Sequence, residues 1–421
     1  MNSRKRVKKI LNGGVPDRVP LDLGGSPVTG MHVSSVYRLR QALGLDEPGT
    51  PVKVIEPFQM LGEIKPDLQE ALGVDIISLS GPENFFGFKN ENWKSWETFD
   101  GTPVLVPEKF NTEPEEDGDI YMYPQGDKTV PPCAKMPEGG YYFDALNRQQ
   151  SIDENTLDIE DNLEEFGPMT EEELEYYRKE INRLYNNTDK AIFANFGDTS
   201  FGDIAHIPGC SLKNPKGIRG VEEWYISLAT RLDYIYRVFE KQCEIALKNL
   251  ERIKKVVGNK ISVLFVTGTD FGAQDGPFIS NKTYRSLFKP FHQEVNKWVH
   301  KNTDWKTFIH SCGSVTALLD DFIEAGFDIL NPVQCSAFKM EPEKLKQEYG
   351  SRIIFWGGGV NTQKTLPFGF AEEVKKEVKS RIEILGKDGG YIFNPIHNVQ
   401  ADTPEENLTA MYEAFEENAG Y

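Results

Sequence analysis

Eight short apolar segments recur along the chain, and each precedes a stretch with the periodicity of an amphipathic helix. Strands buried on both faces read as continuous hydrophobic runs, because helices cover one face and the protein core covers the other. The segments are VPLDLGG (19–25), VDIISLSG (74–81), AIFANFGD (191–198), SVLFVTGTD (262–270), KTFIHSCG (306–313), FDILNPVQ (327–334), RIIFWGGG (352–359) and GYIFNPIHN (390–398). This alternation predicts an α/β fold, a (β/α)8 TIM barrel. A doubly wound open sheet is the alternative, but the first segment continues as LDLGGSPVTG and lacks the GxGxxG phosphate turn.

The region 90–156 interrupts the alternation. It is rich in Pro, Gly, Glu and aromatic residues, and it contains short alternating runs such as TPVLVP and DIYMYPQG. The pairs Asp100-Gly101 and Asp117-Gly118 are hairpin signals. We therefore predict a single domain spanning 1–421, with a β-hairpin-rich insertion after the second barrel strand. Such an insertion could shape a lid or an interface.

Composition and charge narrow the functional classes. The 421 residues are 39% hydrophobic and 27% charged, which is typical of a soluble globular protein. The formal net charge of −18 disfavours binding to nucleic acid or to anionic membrane surfaces. No segment has the features of a signal peptide, and none approaches the roughly 18 consecutive apolar residues of a membrane span. We expect a cytoplasmic protein with a small-molecule substrate.

Candidate metal ligands gather at the ends of three predicted strands. An odd number of cysteines, five, without a secretion signal argues against a disulfide framework. His310 and Cys312 are two residues apart on one strand and therefore point to the same side. Zinc binds imidazole nitrogen and thiolate sulfur in tetrahedral geometry. The prediction is a zinc site of His310, Cys312 and one or both of Cys335 and His397, and the alternative is core thiols with histidines bonded to loop backbone.

Other polar and aromatic residues also fall at predicted strand ends. A carboxylate at Asp22, Asp198 or Asp270 could act as general acid or base, or could orient a metal-bound histidine. Helix capping is the alternative role for Asp22 and Asp198. Asp270 with Gln274 is the strongest candidate for a catalytic pair. The candidates for substrate binding are Asp22, Phe85, Asp198, Gln334, Trp356 and Asn394.

Several motifs resemble those of the uroporphyrinogen decarboxylase superfamily. They are GTDFGAQDGPFIS, YRSLFKPFH, HSCGSV, DILNPVQ, FWGGGVNTQ and PIHNVQADTPEEN, with weaker similarity at VPLDLGG and LGVDIISL. The resemblance covers roughly the whole barrel, and it implies a (β/α)8 fold with one of two activities. Decarboxylases of the superfamily carry arginines on strand one and an aspartate after strand two. Segment 21–25 contains no arginine, and segment 77–80 contains no aspartate. Porphyrinogen decarboxylation is therefore not expected.

The chain is more similar to the zinc-dependent corrinoid methyltransferases of that superfamily. Their His-x-Cys ligand pair matches His310 and Cys312, their last-strand cysteine falls at His397, and their displaceable acidic ligand falls near Gln334 and Cys335. The resemblance implies zinc, and it implies cobalamin carried by a separate corrinoid protein, because the chain has no Asp-x-His-x-x-Gly loop. A methoxylated aromatic is the methyl donor that we expect, and a homodimer is one possible assembly. The alternatives are a metal-independent lyase acting on a small carboxylate through Asp270, and a silent binding module.

Overall fold

The structure, a computed structural model, describes residues 1–421. It contains fourteen strands and thirteen α-helices, with short 3-10 or π turns between some of them. The strands are β1 (Val52–Glu56), β2 (Leu61–Gly62), β3 (Ile76–Leu79), β4 (Lys94–Glu97), β5 (Pro103–Val106), β6 (Ile120–Met122), β7 (Ala134–Met136), β8 (Asp144–Ala145), β9 (Ala191–Asn195), β10 (Val263–Thr267), β11 (Lys306–His310), β12 (Ile329–Asn331), β13 (Ile354–Trp356) and β14 (Tyr391–Ile392).

The helices lie mainly between consecutive strands of the largest sheet. They are α1 (Ser3–Leu11), α2 (Val33–Ala42), α3 (Pro66–Ala71), α4 (Glu171–Asn187), α5 (Val221–Thr230), α6 (Leu232–Val257), α7 (Asn281–Thr283), α8 (Lys289–Asn302), α9 (Leu319–Glu324), α10 (Pro342–Tyr349), α11 (Thr365–Phe368), α12 (Ala371–Leu385) and α13 (Glu405–Asn418). None of them combines the length and the hydropathy that a membrane crossing requires.

Seven parallel strands form a curled sheet in the order β14-β13-β12-β11-β10-β9-β3. The segment around Leu21 closes it, because Leu21 forms a parallel bridge with Phe393 and its carbonyl accepts the amide of Asp75 at 2.8 Å. Pro20 has no amide hydrogen and takes part in this pairing through its carbonyl, which accepts the amide of Phe393 at 2.8 Å. Every predicted strand segment lies in the sheet or at this closing bridge, and the predicted (β/α)8 fold is confirmed.

Side chains that alternate along the strands divide the core into two parts. Inside the barrel, large residues such as Phe193, Phe308 and Trp356 pack together with the apolar face of α1. This face consists of Val7, Ile10 and Leu11, which share one side of the helix. The amide of Arg4 on α1 donates to the carbonyl of Asp189, just before β9 begins. The helix therefore closes the barrel at the N-terminal ends of its strands, opposite the predicted active-site face.

Region 90–156 contains five short strands, but they do not all pair among themselves. β4 and β5 are antiparallel, and Asp100-Gly101 lies in the turn between them. β5 also pairs in parallel with β1, which precedes the second barrel strand and pairs with β2. A separate sheet has the order β6-β7-β8, and Asp117-Gly118 forms a turn just before it rather than a hairpin. Segment 52–62 contributes two strands to the sheet that contains β4 and β5, and no local pattern predicts that contribution.

Candidate metal centre

His310, Cys312 and His397 meet at the C-terminal end of the barrel. On β11, Phe308 packs inside the barrel, so His310 two residues later faces the same interior space. Nε2 of His310 lies 3.4 Å from Sγ of Cys312, and the ring centroids of His310 and His397 are 5.4 Å apart. One nitrogen or sulfur atom of each residue lies within 4.8 Å of the others. We call these three residues the His–Cys–His cluster.

The turn that follows β11 is held in place by its neighbours. Asp270, after β10, accepts a hydrogen bond from the amide of Cys312 at 2.7 Å. Gln334, after β12, accepts one from the amide of Gly313 at 2.6 Å. Gly313 has a φ of +81°, and a Cβ atom there would lie 2.3 Å from the carbonyl oxygen of Gly272. Only glycine fits this close approach, and the turn therefore presents Cys312 from a fixed backbone.

Burial controls the electrostatics of the cluster. It lowers the pKa of His310, and together with the neighbouring His310 ring it lowers the pKa of His397 to about 4. Burial raises the pKa of the Cys312 thiol, and the nearby Asp270 carboxyl acts in the same direction. Burial also raises the pKa of Asp270. Without a cation the imidazoles are neutral near pH 7 and keep lone pairs available for a metal ion.

The donor set fits zinc. In a tetrahedral zinc site with Zn–N and Zn–S bonds of about 2.0 and 2.3 Å, the bound nitrogen and sulfur atoms lie about 3.5 Å apart. The distance between Nε2 of His310 and Sγ of Cys312 is 3.4 Å. His397, the third member, makes no hydrogen bond to any other residue through its ring, so its nitrogens are free to bind. Three protein ligands leave a fourth position for water or substrate, as catalytic zinc sites require.

Part of the chain matches a known protein family, and its fold matches a solved structure. The model of the uroporphyrinogen decarboxylase (URO-D) family matches residues 245–418, a range that includes β10–β14 and the whole His–Cys–His cluster. This part of the chain is similar in sequence to the uroporphyrinogen decarboxylase family. A solved methyltransferase from Methanosarcina mazei has the same fold, with a TM-score of 0.55 and 16% identity over 99% of each chain. No curated protein matches the chain in sequence.

Cys335 lies apart from the cluster. Its thiol is 3.5 Å from the position of a Cβ on Gly358, and it is close enough to Arg381 and Glu377 on α12 for their charges to act on its pKa. Burial raises this pKa to about 11. Of the two alternative ligands that the sequence left open, the structure brings His397 to His310 and Cys312, and it does not bring Cys335 there.

Trp356 and Asn394 each contact Asp22 in the barrel. Nε1 of Trp356 donates to Asp22 Oδ2 at 2.9 Å, and Nδ2 of Asn394 donates to the Asp22 carbonyl at 3.0 Å. All three residues have no exposed surface. Burial raises the pKa of Asp22 to about 7, although the Trp356 hydrogen bond favours the carboxylate. These residues connect the first strand to β13 and β14, and no surface of theirs is open to a ligand.

Asp198 lies outside the cluster, on the α6 side of β9. It has a φ of +60°, and its carboxylate accepts a hydrogen bond from Nδ2 of Asn249 at 2.8 Å. Burial raises its pKa to about 7. The side chain therefore joins the end of the third barrel strand to the helix that follows it, and the structure does not bring it to the other candidates.

The remaining two candidates lie in loops at the C-terminal end of the barrel. Phe85 packs against Phe58 and against the exposed ring of His206, with centroid distances of 4.5 and 5.3 Å. Gln274 is exposed in a tight loop that also contains the Gly272–Pro277 bridge, and its carbonyl accepts the amide of Phe338. Phe85 thus offers a partly open aromatic surface, whereas the side chain of Gln274 contacts none of the cluster residues through a hydrogen bond.

Three residues near the cluster were missed by the sequence analysis. Asn331, the last residue of β12, accepts a hydrogen bond from Nδ1 of His310 at 2.6 Å. The negative charge of Asp203 raises the pKa of His310 and so opposes the effect of burial. Burial and the charge of Asp270 together raise the pKa of Tyr225 to about 12. The Asn-Pro pair at the end of the sixth segment was a visible signal for Asn331. Asp203 and Tyr225 lie in a loop and a helix after β9, where no comparable pattern is visible.

Proposed function

We propose that this protein is a zinc-dependent methyltransferase that moves a methyl group between a small substrate and a corrinoid carried by a separate protein. The observation that carries the proposal is the His–Cys–His cluster, whose ligand atoms lie within 4.8 Å of one another at the active-site end of the barrel. The match of residues 245–418 to the uroporphyrinogen decarboxylase family and the fold shared with a methyltransferase support it.

Zinc would be held by Nε2 of His310, Sγ of Cys312 and a ring nitrogen of His397. When bound there, it supplies a Lewis acid for a heteroatom of the substrate. The chain itself positions the ligands and keeps water out of the barrel below them. Phe308 and Trp356 fill the barrel below the cluster, and the hydrogen bonds from the amides of Cys312 and Gly313 fix the turn.

A methoxylated aromatic is the substrate class that we propose. Phe85 follows β3 at the same end of the barrel, and with Phe58 and His206 it forms a partly exposed aromatic surface. Aromatic rings pack favourably in tilted and edge-to-face arrangements, so such a surface suits a ring-shaped ligand. β3 ends at Leu79, and in the segment Ile77-Ser78-Leu79-Ser80 the two serine hydroxyls bond to each other at 2.9 Å. The absence of an acid there disfavours porphyrinogen decarboxylation.

The second candidate function is a metal-independent lyase. Asp270 favours it, because burial raises the pKa of this carboxyl and keeps a proton available. Its Oδ1 atom, however, already accepts the Cys312 amide. The lyase would keep its activity after loss of the metal ligands, whereas the methyltransferase would lose zinc and turnover together.

The test combines metal analysis with a transfer assay. Protein purified without chelators should contain close to one zinc per chain, and it should move methyl groups from methoxylated aromatics to reduced cobalamin, free or protein-bound. His310→Ala, Cys312→Ala and His397→Ala should each lose zinc and transfer, while Cys335→Ser keeps both. A wild-type protein without zinc contradicts the zinc mechanism. Loss of zinc in Cys335→Ser, with retention in His397→Ala, contradicts the ligand set.

A further inference from the structure

Asn331 and His310 form a buried side-chain pair across two barrel strands. β11 and β12 are parallel, and their register places His310 beside Asn331. Both side chains face the barrel interior, where His310 is 4% exposed and Asn331 is fully buried. Nδ1 of His310 lies 2.6 Å from Oδ1 of Asn331. The other ring nitrogen, Nε2, is the one that faces Cys312.

The orientation of the Asn331 amide is set by a third residue. Nδ2 of Asn331 lies 2.9 Å from the backbone carbonyl of Trp356. A carbonyl oxygen can only accept, so the amide must present its NH2 group to Trp356 and its oxygen to His310. A flipped amide would place its oxygen against the carbonyl oxygen of Trp356, and this contact is repulsive whichever nitrogen of His310 carries the hydrogen. The amide therefore has one favourable orientation.

The amide oxygen in turn selects one tautomer of His310. An oxygen acceptor 2.6 Å from Nδ1 requires a hydrogen on that nitrogen. In a neutral imidazole the other nitrogen then carries a lone pair. We infer that Asn331 is a positioning residue that fixes the tautomer and the ring orientation of His310, so that Nε2 presents its lone pair to the cluster. The consequence for metal binding rests on the proposed zinc site, because a metal-binding imidazole needs this particular nitrogen free.

The support for Asn331 extends through the barrel wall. Trp356 supplies the carbonyl that orients the amide, and its own indole N–H donates to Asp22 Oδ2 at 2.9 Å. His310, Asn331 and Trp356 come from the consecutive strands β11, β12 and β13, and Asp22 lies on the first strand, beyond β14. The chain of contacts assigns Asp22 and Trp356 a supporting role for the metal ligand. This role is consistent with the complete burial of Asp22, Trp356 and Asn331.

The experiment uses two substitutions of Asn331 and one control. Asn331→Leu removes both hydrogen bonds at similar volume, whereas Asn331→Asp keeps an oxygen acceptor for His310. Asn249→Leu is the matched control, since Asn249 is equally buried but bonds to Asp198 and to backbone groups around 167–169. Zinc affinity is measured by competition with a chelator. The tautomer of His310 is measured from the imidazole 15N chemical shifts of the metal-free protein, with His310→Gln for assignment.

Loss of a residue that orients a metal-bound histidine weakens metal affinity by about 10–100-fold, and we expect this of Asn331→Leu. The same variant should populate both tautomers of His310, while wild type and Asn331→Asp populate the form protonated on Nδ1. Asn249→Leu should lose stability but keep the wild-type tautomer and zinc affinity. A wild-type tautomer in Asn331→Leu, or an equal loss of zinc affinity in Asn249→Leu, would overturn the inference. If wild type binds no zinc, the proposed function fails, and the tautomer measurement still decides the role of Asn331.

Discussion

The carboxylate of Asp270 accepts a hydrogen bond of 2.7 Å from the backbone amide of Cys312, and this contact ties the loop after β10 to the turn after β11. The sequence suggested Asp270 as a general acid or base. In the structure one of its oxygens holds the backbone of a candidate metal ligand. Gln334 makes an equivalent contact to the next amide, that of Gly313. Two side chains from the flanking strands thus fix the residues on which the proposed chemistry depends.

Removing the Asp270 carboxylate should destabilise the protein. Asp270→Ala leaves the buried amide of Cys312 without an acceptor, and such a loss costs about 1–3 kcal/mol in the free energy of unfolding. Asp270→Asn retains an acceptor oxygen and should lose clearly less. Urea denaturation measures the difference, and metal analysis should show a larger loss of zinc in Asp270→Ala. Equal stability of the two variants would mean that the hydrogen bond contributes nothing.

The buried carboxyl of Asp198 should make stability depend on pH. Burial raises its pKa from an ordinary value of 3.8 to about 7. Between these values the folded protein holds a proton that the unfolded chain releases. The free energy of unfolding therefore falls as the pH rises from about 4 to about 7, and it stays at the lower level above pH 7. Asp198→Asn, which tolerates the φ of +60°, should therefore be more stable than wild type at about pH 8, with a difference that shrinks towards about pH 4.

Chemical denaturation across this pH range measures the effect of Asp198→Asn. Asp402→Asn serves as the control, because Asp402 is exposed and makes no side-chain hydrogen bond. A stability difference for Asp198→Asn that stays constant with pH would show that the carboxyl is not buried in the folded protein.

Helix α1 should contribute to stability as the closure of the barrel. Ile10 is fully buried among the residues that fill the barrel interior. Replacing it by alanine removes buried methylene groups and leaves a cavity, and we expect a loss of about 2–5 kcal/mol in the free energy of unfolding. Lys8→Ala on the exposed side of the same helix should change it by no more than about 0.5 kcal/mol. Zinc content should be unchanged in both, because α1 lies at the opposite end from the cluster.

His32 should hold the β6-β7-β8 sheet against the barrel. Its Nδ1 accepts the amide of Ser34, so Nε2 carries the hydrogen that is donated to the carbonyl of Tyr141 at 2.7 Å. His32→Ala breaks the contact between the start of α2 and the loop before β8. Amide hydrogen exchange in residues 134–145 should become faster, with little change in β9–β14. Unchanged exchange in this segment would show that other contacts suffice to hold it.

The local sequence was sufficient to locate the barrel strands and one pair of candidate ligands. Continuous apolar runs mark strands buried on both faces, and this signal depends only on neighbouring residues. The two-residue spacing of His310 and Cys312 likewise puts both at one strand end. The hairpin with Asp100-Gly101 was also visible in this way, since both of its strands are adjacent in sequence.

The tertiary structure decided what separate segments do to one another. It places His397 rather than Cys335 beside His310 and Cys312, because the direction of a side chain beyond a strand end depends on the path of its loop. It pairs β1 with β5, which stand before and after the second barrel strand in the sequence, and no local pattern encodes a contact between such distant segments. It also brings Asp270 and Gln334 to the amides of Cys312 and Gly313, whose hydrogen bonds they accept. A buried donor must find an acceptor, and only the folded arrangement determines which one lies within reach.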